Sequence, residues 1–497
     1  MGSRADGALV VSLAKNIAMA LARHGLAIAS SVATVALLGR FLGRASLGAW
    51  ALIGSSSALV ALSDLGLSSL VLRAAARGEK REAASSLLLA QRTVLVVSPV
   101  LAVASGLLYT ADLRAHGGVI AAREVSIACV ATVAGAAIGA YFAAHRSWLT
   151  GVGDASALAR ARMFAAAAQI ATTSVVLFAG GGIVAPALGV LIAAVVEAIV
   201  CSRALGAELE AHSGEARRPT FAAWRASIRD ASASLAVNAA VVVAVRIDVV
   251  LLARVAPLAA VGAYQLSLRV TDQLFTLAKQ VSAALLHRLA SADGCAEALP
   301  RGTMFIAGPL ASGLAALSVA GRPIVRAWAG PIVDEPMFST AFALTAIAAV
   351  IAALCELGSA ALMVGARSVW SSAWSHIAGS TVNAIVSFGG ASRFGVFAIA
   401  GGTIAGNLTT AVITHIQLDR AGRLRDGGLD RAYVVTLCAG LLSWAVTSSL
   451  VGLSRSLVGA CVAVSLGAAS GLVAVVAGML FERREAERCA SRLYPRH

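Results

Sequence analysis

Residues 183–202 read IVAPALGVLIAAVVEAIVCS, a stretch of the chain with a single charged side chain. A helix of about 20 residues rises about 30 Å, which matches the hydrocarbon core of a bilayer. Similar runs recur along the chain between loops that contain charged residues, Gly or Pro. They lie near 17–39, 47–70, 93–110, 122–144, 163–180, 183–202, 231–253, 259–285, 302–321, 338–363, 376–390, 394–416, 432–452 and 456–480. We therefore predict about fourteen transmembrane helices.

The composition of the 497 residues indicates the same fold class. Hydrophobic residues make up 59% and charged residues 13%, with a mean hydropathy of +0.83. A soluble domain carries about 25% charged residues, because its surface must face water. In lipid only helices and closed barrels satisfy every backbone group, and the runs lack the alternation of barrel strands. The prediction is an all-α polytopic membrane protein.

The distribution of basic residues orients the helices. With a cytoplasmic N-terminus, about 27 of the 40 Lys and Arg fall on the cytoplasmic side and about 9 on the other. Cytoplasmic loops of membrane proteins carry this excess of Lys and Arg. Arg146 and Arg162 are assigned to one such loop, and the segments 203–229 and 481–497 are also cytoplasmic. We expect a multi-pass protein of the cytoplasmic (inner) membrane with both termini in the cytoplasm, and the net charge of +15 gives no reason to expect nucleic acid.

A short internal repeat divides the chain. Residues 38–50, LGRFLGRASLGAW, align with residues 252–264, LARVAPLAAVGAY, so that Arg40 meets Arg254, Gly48 meets Gly262 and Trp50 meets Tyr264. Each segment joins the first two spans of a six-span block, which indicates two parallel six-helix bundles related by a pseudo-two-fold axis. The predicted divisions are 1–202 and 230–416 for the bundles, 203–229 for a cytoplasmic linker, 417–480 for two extra C-terminal helices and 481–497 for a basic tail.

Residues 39–76, GRFLGRASLGAWALIGSSSALVALSDLGLSSLVLRAAA, resemble the start of Wzx-type polysaccharide and O-antigen flippases. These belong to the multidrug/oligosaccharidyl-lipid/polysaccharide superfamily. The resemblance rests on Gly48, Trp50 and the segment Asp64–Leu67, and in the second half on residues 246–270. It implies a carrier that moves undecaprenyl-pyrophosphate-linked oligosaccharides, the repeat units of O-antigen or exopolysaccharide. It also implies membrane lipids, a polysaccharide polymerase and chain-length proteins as partners. Residues 380–497 match the family only generically.

Basic side chains inside the spans are the candidates for substrate binding. A charge at the centre of a bilayer costs several kcal/mol, so each one calls for a function or a partner. Span 8 carries a polar stripe that includes Arg269, Asp272 and Lys279. With Arg23 and Arg246, the basic members predict a cationic cavity for a pyrophosphate, since guanidinium groups bind phosphate in a bidentate manner. The alternative is that Arg269 and Asp272 form an intrahelical ion pair and that Arg side chains near helix ends reach the headgroups.

Carboxylates in the spans are candidates for binding a coupling proton or sodium ion, because burial lets a carboxyl group hold a proton. They are Asp64, Asp248 and Asp272, with Glu197 and Glu356 as further candidates. For Asp64 a helix-terminal role competes with this interpretation. The cysteines and histidines lack metal-ligand spacing, so no cofactor or metal is expected.

Two other functions compete with the flippase. A drug or metabolite antiporter of the same superfamily would favour acidic and aromatic cavity residues, yet aromatic residues make up only 5% of the chain. A membrane-embedded polysaccharide-processing enzyme would need catalytic groups in a large outer loop. The longest outer loop, residues 322–337, offers only Asp334 and Glu335. We therefore expect a transporter and no enzyme.

Overall fold

The computed structural model describes residues 33–114, 122–213, 221–289, 292–365, 370–424 and 428–493. Within these ranges the secondary structure is α-helical, with three short 3-10 turns and no strand. Eleven of the described stretches are long and apolar enough to cross a membrane. They are Arg44–Asp64, Lys80–Leu107, Ala122–Gly151, Ser156–Phe178, Val184–Gly206, Trp224–Val255, Ala298–Ala320, Phe338–Met363, Val396–Arg420, Gly428–Ser449 and Leu457–Phe481. The all-α polytopic membrane fold is confirmed.

The eleven stretches coincide with eleven of the fourteen predicted spans. Of the other three, the first lies mostly outside the described residues. The eighth and the eleventh form the long helices Leu258–Leu289 and Trp370–Phe394, which are less apolar than the rest. The eighth carries the polar stripe, and its charges lower its hydropathy. The count of fourteen remains a prediction.

The first compact unit contains residues 22–266 and 384–399. Its described helices are α1 (33–41), α2 (Arg44–Ser57), α3 (Ser68–Ala76), α4 (Lys80–Arg114), α5 (Ala122–Tyr141), α6 (Ala143–Gly151), α7 (Ala155–Phe178), α8 (Val184–Ser213) and α9 (Phe221–Val255). Helix α8 packs on α5 and α7, and the short helices α3 and α6 pack on each other. A buried apolar cluster around Leu67, Leu87 and Trp148 joins α3, α4 and α6.

The described part of the second unit lies within residues 267–383 and 400–493. Its helices are α10 (Leu258–Leu289), α11 (Ala292–Ala320), α12 (Arg322–Ala329), α13 (Phe338–Gly365), α14 (Trp370–Phe394), α15 (Val396–Arg420), α16 (Gly428–Ser449) and α17 (Leu457–Leu493). The first nine residues of α10, Leu258–Leu266, belong to the first unit, as do the last residues of α14 and the first of α15. Helix α11 packs on α13, α16 and α17.

The C-terminal helices α16 and α17 attach to α11 through small residues. The Ser443 hydroxyl on α16 donates a hydrogen bond to the Ser312 carbonyl on α11 at 2.7 Å. A Cβ on Gly471 of α17 would overlap the Ser312 hydroxyl, and one on Gly308 would overlap the side chain of Val475. Small residues allow this close approach between membrane helices. The outer faces of the pair are apolar and exposed, as in Leu441, Trp444, Val458 and Val473.

Arg423, just after α15, is a buried structural residue. Its side chain is 7% exposed, and Nη1 donates to the carbonyl oxygen of Leu289 at 3.0 Å and to that of Ala361 at 3.4 Å. Leu289 is in the last described turn of α10, and Ala361 lies near the end of α13. The last carbonyls of a helix lack partners within the helix and carry partial negative charge. A guanidinium placed between two helix ends therefore joins α10 and α13.

Candidate functional site

The polar stripe of α10 lies in the second unit. Arg269 and Asp272 are half-buried and both have interaction partners. The Thr276 hydroxyl donates to the Asp272 carbonyl at 2.7 Å, so this hydroxyl is satisfied within the helix. One turn further on, the Lys279 ammonium lies 4.8 Å from the centre of the Phe275 ring. The predicted binding residues Arg269 and Lys279 thus share one helix.

Lys279 has two ionisable neighbours from other helices. Glu356 on α13 and His376 on α14 both lie within electrostatic range of its ammonium group. Both residues are half-buried, whereas Lys279 is exposed. The sequence indicated Glu356 only as a further carboxylate candidate. The structure places Glu356 and His376 within electrostatic range of Lys279 in the second unit.

Arg246 and Asp248 occupy α9 in the first unit. Arg246 is half-buried and has a partner, and Asp248 is 1% exposed. The Tyr264 hydroxyl, from the N-terminal part of α10, donates to Asp248 Oδ2 at 3.3 Å. A carboxylate buried this deeply requires hydrogen bonds. The binding and coupling roles predicted for Arg246 and Asp248 remain predictions, as does the binding role of Arg23, which lies outside the described residues.

Asp64 ends a 3-10 turn, Val60–Asp64. Its Oδ1 accepts a hydrogen bond from the backbone N–H of Gly66 at 3.1 Å. Leu65 and Gly66 both adopt positive φ, at 50° and 77°, and a Cβ on Gly66 would come within 2.9 Å of the Leu235 nitrogen on α9. The segment Asp64–Leu67 therefore forms a tight turn against α9. This hydrogen bond fits the helix-terminal interpretation of Asp64, and its coupling role stays a prediction.

An ion pair that the sequence did not indicate joins α6 and α8. Arg146 Nη1 lies 3.6 Å from Glu197 Oε2, and Arg146 Nη2 donates to the Gly139 carbonyl at 2.9 Å. Both side chains are about three-quarters buried, with 28% and 22% exposed. The sequence assigned Arg146 to a cytoplasmic loop because the apolar run stops at residue 144. The structure instead resumes the helix after Phe142 as α6, which carries Arg146 into a candidate span.

Asp334 and Glu335, the acids considered above for an enzyme, both have interaction partners. Asp334 pairs with Arg322 at 3.5 Å and with Arg326 at 3.2 Å, both from α12. Glu335 also has a partner. In the part of the chain that the structure describes, no group of three or more His, Cys, Asp or Glu is arranged to hold a metal ion. Asp334 thus acts as a counter-ion to the two arginines of α12.

Solved structures with this architecture are transporters. One is a multidrug resistance MATE family transporter of the MOP superfamily in an inward-facing conformation, with a TM-score of 0.59 at 15% identity, covering 84% of this chain and 99% of that one. A MOP superfamily transporter from Pyrococcus furiosus gives 0.60 at 16% identity, with 85% and 96% covered. The Vibrio cholerae MATE transporter VcmN, in a mutant form, gives 0.57 at 13% identity, with 84% and 99% covered. The chain therefore has the fold that these MOP superfamily transporters share.

The family follows from the sequence itself. The family model of the polysaccharide biosynthesis proteins matches residues 13–279, which is more than half of the chain. This protein belongs to that family, and the resemblance based on residues 39–76 and 246–270 is confirmed at this level. No curated protein sequence matches the chain. The three solved structures above are of transporters, whereas the transport function of this chain stays a proposal.

Proposed function

We propose that this protein is a flippase for undecaprenyl-pyrophosphate-linked oligosaccharides, working by alternating access across the cytoplasmic (inner) membrane with both termini in the cytoplasm. The observation that carries the proposal is the charge of α10. This helix coincides with the predicted eighth span, yet it carries Arg269, Asp272 and Lys279. The polysaccharide biosynthesis family supports the same class of cargo, and the likeness to MOP superfamily transporters supports a carrier.

The chemistry of the candidate residues suits a lipid-linked pyrophosphate. A guanidinium forms two parallel hydrogen bonds to phosphate, and an ammonium acts as a compact point charge. Away from bulk water both attractions strengthen, because the local dielectric constant is low. We assign substrate binding to Arg269 and Lys279, together with Arg246 and Arg23. A polysaccharide polymerase and chain-length proteins are the proposed partners on the outer side.

Coupling to a proton or sodium gradient is a separate part of the proposal. Asp248 and Asp272 remain candidates, and Asp64 is retained with its turn-forming hydrogen bond. Glu356 gains support from its position near Lys279, since a carboxylate beside a binding cation can exchange with the phosphate of the substrate. Dissipating the proton and sodium gradients in membrane vesicles should then stall translocation. Unchanged flipping under both treatments would remove coupling and leave the substrate assignment untouched.

The decisive experiment removes single charges from α10. We expect Arg269→Ala and Lys279→Ala each to reduce polysaccharide export about 10- to 100-fold, since a hydrogen bond to a charged group contributes about 1.5–3 kcal/mol. Export is measured in cells that carry the variant as the only copy, with membrane levels checked by immunoblotting. Arg393→Ala is the matched control, because it removes the same charge from an exposed position at the end of α14.

Normal export by both α10 variants at normal membrane levels would refute the assignment. The antiporter alternative is tested in the same strains. If the protein exports cationic drugs, its loss should sensitise cells to dyes such as ethidium while polysaccharide export continues. The flippase proposal expects the opposite pattern.

A further inference from the structure

Buried polar side chains without partners all lie in one half of the second unit. In the described part of this unit seven buried side-chain atoms have no hydrogen-bond partner; they belong to Thr303, Ser359, Ser372, Thr414, His415, Gln417 and Thr436. All seven lie towards the start of α11, α14 and α16 and towards the end of α13 and α15.

The opposite half of the same unit is paired. Its buried hydroxyls donate to backbone carbonyl oxygens at 2.7–3.1 Å; they include those of Ser312, Thr345, Ser443 and Thr447. Buried polar atoms of folded proteins that lack a protein partner bind internal water. The half that contains the seven unpartnered atoms is therefore the part of the unit suited to hold water.

Three of the unpartnered groups lead from α13 to α15. Ser359 lies one turn beyond Glu356 on α13 and is 6% exposed. A Cβ on Gly358 would come within 2.9 Å of the methyl carbon of Thr414 on α15, so Thr414, which is 2% exposed, packs against α13 next to Ser359. His415 follows Thr414 in the chain, and its Nδ1 atom is buried. A series of unpartnered polar atoms thus connects the surroundings of Glu356 with His415.

The other nitrogen of His415 faces the surface. Its Nε2 lies 3.9 Å from Oδ1 of Asp430 on α16, and the Asp430 side chain is 70% exposed. The Tyr433 ring, also on α16, has its centre 6.1 Å from that of His415 and lies within electrostatic range of Cys355, the residue before Glu356. His415 therefore stands between an exposed carboxylate and the buried polar atoms.

The inner end of this series lies beside a proposed binding residue. The Lys279 ammonium on α10 is within electrostatic range of Glu356 and also of His376 on α14. Charges at such distances interact strongly away from bulk water. The gain or loss of a proton at Glu356 therefore changes the electrostatic potential at Lys279, the group to which we assign the cargo phosphate.

We propose that His415 is a proton relay between Glu356 and the cytoplasm, and that the coupling ion is a proton. The proposal rests on the proposed transport function and orientation, in which the connection between α15 and α16 faces the cytoplasm. The Glu356 carboxyl group gives its proton to water held by the Ser359 and Thr414 hydroxyls. The His415 imidazole accepts a proton at Nδ1 and releases one from Nε2, past Asp430, into the cytoplasm. The transfer leaves a carboxylate at Glu356 and a neutral imidazole.

A histidine suits this position because each of its nitrogens can either hold or lack a proton near physiological pH. A hydroxyl both donates and accepts a hydrogen bond, so Ser359 and Thr414 can orient water for transfer in either direction. The same route carries protons to Glu356 when the direction of transfer is reversed.

The test follows the protonation of Glu356 and requires no cargo. A hydrophobic carbodiimide reacts with protonated carboxyl groups in membranes, and its adduct at Glu356 is quantified by mass spectrometry, with Glu356→Gln as the blank. Inside-out and right-side-out membrane vesicles that contain the full chain are buffered separately on their two faces. His415→Gln removes the relay and Asp430→Asn removes its surface group. His145→Gln is the matched control, because His145 is a buried histidine of the first unit.

The labelling rate should follow the pH at the cytoplasmic face. Raising that pH by one unit should lower the rate about tenfold, because the protonated fraction of a largely ionised carboxyl group falls by that factor. The same change at the outer face should have little effect. His415→Gln should abolish most of the response, since removal of a positioned proton-transfer group slows transfer about 100-fold or more. Asp430→Asn should weaken the response, and His145→Gln should keep it in full.

Two results would overturn the relay. One is a full response to cytoplasmic pH in both His415→Gln and Asp430→Asn, and the other is a parent protein whose labelling follows the outer pH. The exposed position of Asp430 keeps the test valid if His415→Gln does not reach the membrane. Because labelling needs no glycan, the expected responses in a protein that moves no glycan would refute the proposed cargo and leave the relay standing.

Discussion

Replacing Arg423 by Met should weaken the second unit markedly while leaving the proposed binding residues intact. The substitution keeps an unbranched apolar stem but removes the guanidinium between the ends of α10 and α13. Hydrogen bonds from a charged donor contribute about 1.5–3 kcal/mol, and a cation at a helix C-terminus adds up to about 2 kcal/mol when partly buried. The longer contact, 3.4 Å to Ala361, contributes less than the 3.0 Å bond to Leu289. We expect a loss of about 3 kcal/mol.

The measurement is thermal unfolding of the detergent-solubilised protein, followed by intrinsic fluorescence. A loss of about 3 kcal/mol should lower the midpoint by roughly 6 °C, at about 2 °C per kcal/mol for a unit of this size. Arg420→Met is the matched control, because Arg420 is an exposed basic residue in the last turn of α15. The unfolding midpoint of Arg423→Lys should lie between those of Arg423→Met and Arg420→Met, since an ammonium keeps the charge but lacks the planar set of N–H donors of a guanidinium. Equal midpoints for Arg423→Met and Arg420→Met would refute this account of Arg423.

Two further predictions concern the first unit. Glu197→Leu should destabilise it by about 2 kcal/mol, because Arg146 would keep its charge without a counter-ion. This loss is smaller than that expected for a fully buried ion pair, since both side chains are partly exposed. The double variant Glu197→Leu/Arg146→Leu should recover most of the lost stability in thermal unfolding. Asp154 caps α7, and hydrogen bonds from the Ala157 amide and the Ser156 hydroxyl lower its pKa. Asp154→Ala should therefore reduce the free energy of unfolding by about 1 kcal/mol near neutral pH. Since the folded-state pKa is lowered, this contribution is present above the ordinary Asp pKa and disappears as the pH falls through the lowered value. A gap between Asp154→Ala and the parent protein that stays constant into strong acid would contradict the cap.

The sequence was sufficient for eleven of the predicted spans, because apolar runs of membrane length have few alternatives in lipid. The prediction of a helix over 259–285 agrees with α10, and the polarity read from its sequence explains why hydropathy does not mark it as a span. These features depend on the local pattern of residues, which is written along the chain.

Pairings between distant helices were harder to predict. Glu197 needs a counter-charge, but nothing in the run 183–202 indicates that Arg146 supplies it, since the apolar pattern ends before Arg146. Arg423 resembles any basic residue of a cytoplasmic loop, and only the folded chain shows that it joins α10 to α13. The same applies to the neighbours of Lys279. Side-chain partnerships of this kind depend on helix rotation and tilt, which packing decides.

The attachment of α16 and α17 to α11 limits how the second unit can change shape. Gly308 and Ser312 face the pair, and Gly471 fits against the Ser312 hydroxyl. A rotation of α11 about its own axis would turn these small residues toward bulkier neighbours and expose the Ser312 carbonyl to hydrocarbon, where it would lose the hydrogen bond from Ser443. The contacts with α16 and α17 thus prevent α11 from rotating alone, so that any movement of α11 must carry these two helices with it.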